Sequence, residues 1–114
     1  VSYANDKAKY YAKMQIETSA KPRIICMLHE RCVQLLRQAV DTKATESGDM
    51  LVSAQNIIVQ LECALRIDDD VSESLFHLYD FCYVKIDESK DGSLRSALNI
   101  MTGLRDLFDT VSRR

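Results

Sequence analysis

Residues 54–65, AQNIIVQLECAL, set Ala54, Ile57, Ile58, Leu61, Ala64 and Leu65 at spacings of three and four. At 3.6 residues per turn these positions fall on one side of a helix, so the stretch carries a continuous apolar face that folding must bury. A helix of this length is marginal alone in water, and its stability has to come from packing against similar faces. The chain provides three. Ile25, Leu28, Cys32, Leu35, Leu36 and Ala39 form a stripe on a helix expected to start around Thr18–Pro22 and run to about Val40. Leu75, Leu78, Tyr79, Cys82 and Ile86, with Phe76 and Tyr83 on the flank, stripe a helix over about Val71–Glu88. Leu94, Ala97, Leu98, Met101, Leu104, Phe108 and Val111 stripe a last one.

Local chemistry marks the boundaries. Thr18 and Ser19 offer capping hydroxyls, and Pro22 loses no helical bond in a first turn. The central helix is expected from near Asp49 to about Ile67, and Asp70 with Glu73 resembles a capping box for the next. Lys90-Asp91-Gly92-Ser93 reads as the turn before the last helix. Four helices with short connections predict an all-α, antiparallel four-helix bundle. It occupies residues 19–112 of a single domain over 1–114, with a short N-terminal arm or helix at 1–18. A chain of 114 residues suffices for one core. Persistent polar/apolar alternation, the mark of a strand, is absent.

Charge is unevenly distributed about a net of −2: residues 1–40 hold seven Lys or Arg against three acids, and the remainder eight against fourteen. The basic segment has neither arginine clusters nor an aromatic ladder, so nucleic acid is not an expected partner. The longest apolar run, Ile24–Leu28, is far below the roughly 20 residues that span a bilayer, and no membrane insertion is expected. Four cysteines without an extracellular signature predict reduced thiols and a cytoplasmic location.

Chemistry finds little support. Cys26 and His29 share a helix face as half of a possible metal site, but no C-x-x-C or H-E-x-x-H spacing completes it. Cys32, Cys63 and Cys82 lie on or beside apolar stripes, where cysteine serves as a small hydrophobe. A di-iron bundle needs Glu-x-x-His on two helices, whereas Glu73 and His77 are four apart. His29 and His77 are expected at the surface or boundary. Glycines at 48, 92 and 103 cannot form a phosphate loop. No catalytic residue, metal or cofactor is expected, and the chain reads as a non-enzyme.

Binding remains. The first helix carries Ile24, Met27 and Val33 beyond its main stripe, and the central helix Met50, Ile57 and Ile67. A bundle helix needs about three core positions in seven, so the surplus predicts partly exposed grooves, or grooves covered by the N-terminal arm.

The string Ala54-Gln55-Asn56-Ile57-Ile58, followed by Leu61 and Leu65, resembles the central-helix motif of the FliS family of flagellar secretion chaperones. Leu78-Tyr79-Asp80-Phe81 with Ile86 is similar to that family's L-Y-D-Y helix. Thr18, Ile24, Ile25, Met27, Leu28, Val33 and Leu36 resemble its first long helix, and Leu104-Arg105-Asp106 its last. The likeness covers roughly residues 10–108. It departs at Pro22, one place later than the usual Ser-Pro, and at His29, Arg31 and Phe108, where tyrosine, glycine and tryptophan are common. The resemblance implies a cytoplasmic chaperone that binds the disordered C-terminal segment of flagellin, prevents premature polymerisation and assists flagellar type III secretion. Its implied partners are the C-terminal segment of flagellin and the flagellar export apparatus, with an accessory co-chaperone left open as a third. The flagellin-binding residues expected on this basis are Tyr11, Ile16, Ile24, Met27, Met50, Ile57 and Ile58, with Tyr11 and Ile16 on an arm that covers the groove until flagellin displaces it. The alternative is a helical docking module for another secretion or signalling partner.

Overall fold

The computed structural model describes residues 21–42, 47–65 and 70–113. Four helices fill them: α1 (Pro22–Asp41), α2 (Gly48–Ala64), α3 (Asp70–Glu88) and α4 (Asp91–Ser112). Each packs antiparallel to its neighbours in a closed ring, with α1 against α2 and α4, and α3 against α2 and α4. The expected arm lies outside the described residues, as do Thr18, Ser19 and Ile67.

The helix ends follow from backbone chemistry. Pro22 takes the first position of α1, where a missing N–H costs nothing, and Lys21 is the cap without a side-chain bond. The amides of Ile24 and Ile25 both donate to the Lys21 carbonyl, at 2.9 and 3.2 Å. α2 starts at Gly48, one residue before the expected Asp49, and stops at Ala64 rather than near Ile67. Leu65 turns extended and its amide donates to the Glu62 carbonyl at 3.2 Å.

The α3–α4 turn differs from expectation. α4 already begins at Asp91, which puts Gly92 in its first turn, and the chain reverses at Ser89, with φ at 58°. The Ser89 amide donates to the Ile86 carbonyl at 3.0 Å, tying off a carbonyl that the end of α3 leaves without a helical donor.

The core is the sum of the stripes. Leu36, Ile58, Leu61, Leu75, Tyr79, Ile86 and Met101 are all at most 1% exposed. Two cysteines meet the backbone of a neighbouring helix. The Cys32 thiol reaches the Ala54 carbonyl at 3.8 Å, and the Cys82 thiol reaches that of Ala97 at 4.0 Å. Burial pushes both thiols up to about 12, so they remain protonated and act as hydrophobes. Cys63 is different: it is exposed on α2. It follows Glu62 on the turn away from Leu61, and the hydrophobe role expected for it does not apply. Leu107 joins the core at 2% exposure although the α4 stripe omitted it.

Candidate functional site

His29 is the clearest correction to the sequence reading. Expected at the surface or boundary, it is fully buried on the inner face of α1. Its neighbours supply what a buried imidazole requires. Nδ1 lies 2.8 Å from the Ile25 carbonyl one turn back, and Nε2 lies 2.8 Å from the Tyr79 hydroxyl on α3. A carbonyl only accepts, so Nδ1 carries the proton and Nε2 accepts from Tyr79. The ring also stacks on Phe108 of α4, with centroids 4.8 Å apart and planes at 18°. Burial pulls the pKa of His29 down to about 4 against the opposing effect of the Ile25 bond, leaving it neutral near pH 7. Both nitrogens are engaged, so this is a structural polar node joining three helices. His77, by contrast, is exposed, 3.7 Å from Glu73. Among the described residues no group of three His, Cys, Asp or Glu side chains is arranged to hold a metal ion.

A groove of about 380 Å³ runs between the start of α1 and the end of α4, with Cys26, Glu30 and Arg105 in its lining. Its arginines meet carboxylates: Arg23 and Arg113 lie 3.9 and 3.1 Å from Asp109, and Arg105 lies 3.1 Å from Asp106. Exposed pairs of this kind contribute about 0–1 kcal/mol each. The groove is self-neutralised, which gives a charged small molecule little hold. The Cys26 thiol, whose pKa is raised by burial and by Asp109, contacts the Arg105 carbonyl at 3.8 Å.

The apolar surface lies elsewhere. Ile24 and Met27 project from the outer side of α1 with 49% and 55% of their surface exposed. The Cys32–Ala54 contact sets the levels of the antiparallel α1 and α2, and at 1.5 Å per residue Ile57 and Ile58 fall within about 3 Å of Met27 along the bundle. Both isoleucines are buried, at 8% and 0%. They lie inside the bundle at the level of Met27 and offer little surface of their own. Met50 is half-buried against the core at the other end of the pair, about 18 Å along the axis from Ile24. The expected residues thus make an exposed pair, a buried pair and a separate half-buried position. Val33, one of the surplus positions, is fully buried. Tyr11 and Ile16 lie outside the described residues. Sequence reasoning also missed Val52, Val59 and Val84, which are exposed at 56%, 42% and 49%. A valine repeated two turns apart opposite a recognised apolar stripe was the available signal for the first two.

No described helix is long and apolar enough to cross a membrane. The family model for flagellar protein FliS matches residues 3–114. The flagellar secretion chaperone FliS of Bacillus subtilis (strain 168) is 27% identical over 108 residues, which cover 86% of this chain and 80% of that protein.

Proposed function

This chain belongs to the FliS family of flagellar secretion chaperones, a non-enzymatic family, and on that premise we propose that it binds the disordered C-terminal segment of flagellin in the cytoplasm. Bound there, the segment is kept from premature polymerisation until it is handed to the flagellar export apparatus. The observation that carries this reading is the exposed Ile24–Met27 pair on α1. Two large apolar side chains about half in water gain by being covered, and an amphipathic segment that orders on contact covers them. A segment that also reached Met50 would run along the α1–α2 pair for about 18 Å, some three helical turns.

Covering the exposed part of each side chain is worth about 1–2 kcal/mol. Calorimetry of the full chain with the C-terminal flagellin peptide from the same organism tests the proposal. The expected result is binding with a large negative heat-capacity change, because apolar surface is buried as the peptide folds. Ile24→Ser and Met27→Ser should each weaken binding by about tenfold without lowering thermal stability. Absence of heat at high micromolar peptide, at two temperatures, would overturn the assignment.

A further inference from the structure

The bundle has a second exposed apolar surface, and it lies on a different helix pair. Val52 and Val59 of α2 are seven residues apart and point away from the Leu51–Ile58–Leu61 stripe. Gln55 fixes how α2 meets α3: its Nε2 donates to the Tyr83 carbonyl at 3.3 Å and to Asp87 at 3.4 Å. Val59 follows Gln55 by one turn, and Val84, next after Tyr83, is turned about 100° from it towards the outside of α3, so the two exposed valines stand at similar levels on the outer sides of the two helices that flank the seam. Phe81 is also exposed on α3, with the Lys85 ammonium 5.3 Å from its ring centre.

The charge around this seam is one-sided. Helices α2 and α3 together hold seven acids and one lysine or arginine, Lys85, which pairs with Glu88 at 3.5 Å. On α1 and α4 acids meet arginines, as in Arg23–Asp109, Arg95–Asp91 and Arg113–Asp109. On the seam, Glu62 of α2 and Asp80 of α3 repel each other, and no described cation lies within ion-pair distance of either. Burial and Asp80 together hold the Glu62 carboxyl above its ordinary range. Asp87 completes the rim and receives only the Gln55 amide.

We infer that the outer face of the α2–α3 pair, Val52, Val59 and Val84 rimmed by Glu62, Asp80 and Asp87, docks an amphipathic helix of a partner protein with lysine or arginine beside its apolar stripe. The seam between two packed helices is a shallow trough that accepts a third helix, whose apolar positions cover the valines. Cations flanking that stripe come to rest against the rim and relieve the Glu62–Asp80 repulsion. An acidic segment would add like charge. A second copy is disfavoured as well, because a twofold contact through this face sets the same acids against each other. The surface is distinct from the Ile24–Met27 pair, so the inference stands apart from the proposed cargo site.

The test uses the full chain and two fluorescein-labelled amphipathic peptides of matched length, one built of Leu and Lys, the other of Leu and Glu. Fluorescence anisotropy should show the Leu/Lys helix binding and weakening as salt rises from about 50 to about 300 mM, while the Leu/Glu helix does not bind. Val59→Lys with Val84→Lys should weaken Leu/Lys binding at least about tenfold, a loss of about 1.4 kcal/mol. Both residues are exposed, so the melting temperature should hold. Glu62→Gln with Asp80→Asn should reduce the salt dependence, and Met27→Ser should change nothing. The proposal is overturned if both peptides bind alike or if the double-lysine variant binds as the wild type does. It is overturned equally if sedimentation reveals a wild-type dimer that the double-lysine variant disperses, or if that variant loses the flagellin peptide, which would make the face part of the cargo surface.

Discussion

Acidification should destabilise this bundle through His29, and the structure gives the size of the effect. The buried imidazole has a pKa of about 4, whereas in the unfolded chain it returns to the ordinary 6.5. Between those values the unfolded chain binds a proton that the folded chain refuses. Stability from this group is therefore fully present above about pH 6.5, is lost as pH falls towards 4, and changes no further below that. Each pH unit in the window is worth about 1.4 kcal/mol, so the whole loss is roughly 3 kcal/mol, a large part of a typical stability of about 5–15 kcal/mol. Carboxylates titrate over part of the same range, so the contribution of His29 must be isolated by difference. His29→Gln keeps an amide donor and a carbonyl acceptor but does not titrate, and His77→Gln is the exposed control. Urea unfolding at several pH values from 7 to 4 should give a wild-type curve steeper than that of His29→Gln by up to one proton. His77→Gln should follow the wild type far more closely. Parallel curves for wild type and His29→Gln would refute the reasoning, because they would mean that the imidazole is protonated as readily in the fold as outside it.

Ser89→Gly should stabilise the fold by about 0.5–1 kcal/mol in thermal unfolding, because a serine held at φ 58° carries a steric cost that glycine does not. Leu61→Ala should cost about 2–5 kcal/mol, and Ile57→Asp should unfold the chain, since both side chains are buried; circular dichroism reads both. Under native conditions a thiol reagent should modify Cys63 quickly and Cys32 and Cys82 only on unfolding, as mass spectrometry of partially labelled protein would reveal. A double-mutant cycle of His29→Gln with Phe108→Leu at pH 7 should give a coupling of about 0.5–1.5 kcal/mol from the stacked rings, whereas additivity within about 0.3 kcal/mol would deny the contact an energetic role.

The helices were legible because each stripe is long and its period unmistakable, and burial of Ile58, Leu61, Leu75, Ile86 and Met101 follows from that alone. Less legible was anything decided between helices. Ile24 stood among the surplus positions and Ile57 both there and on the central stripe, yet one is 49% exposed and the other 8%, because α2 turns Ile57 inward while nothing described covers the outer side of α1 at Ile24. Periodicity gives the angle of a side chain about its own axis and says nothing about how wide the neighbouring helix is. The α3–α4 reversal was missed for a local reason. Glycine and aspartate drew the turn to residues 90–93, whereas the left-handed residue is a serine two places before the first of them.

His29 shows how a polar residue on an apolar stripe can be misread from composition and understood from contacts. On α1 alone it interrupts the run from Ile25 to Cys32, and a histidine in that setting suggests an edge. Inside the bundle its Nδ1–H finds the Ile25 carbonyl, its lone pair finds Tyr79, and its face finds Phe108, so that no polar atom of the ring is left unmet. His29 and Phe108 are thereby placed in contact, so the first and last helices of the bundle share one packing unit, and in a core packed at crystal density a change of ring size at either position requires adjustment at the other. The hydrogen bond to Tyr79 then ties that pair to α3, so three of the four helices meet at one neutral imidazole; protonation would favour its Ile25 bond but require the Tyr79 hydroxyl to turn from donor to acceptor, inside a site where burial disfavours charge.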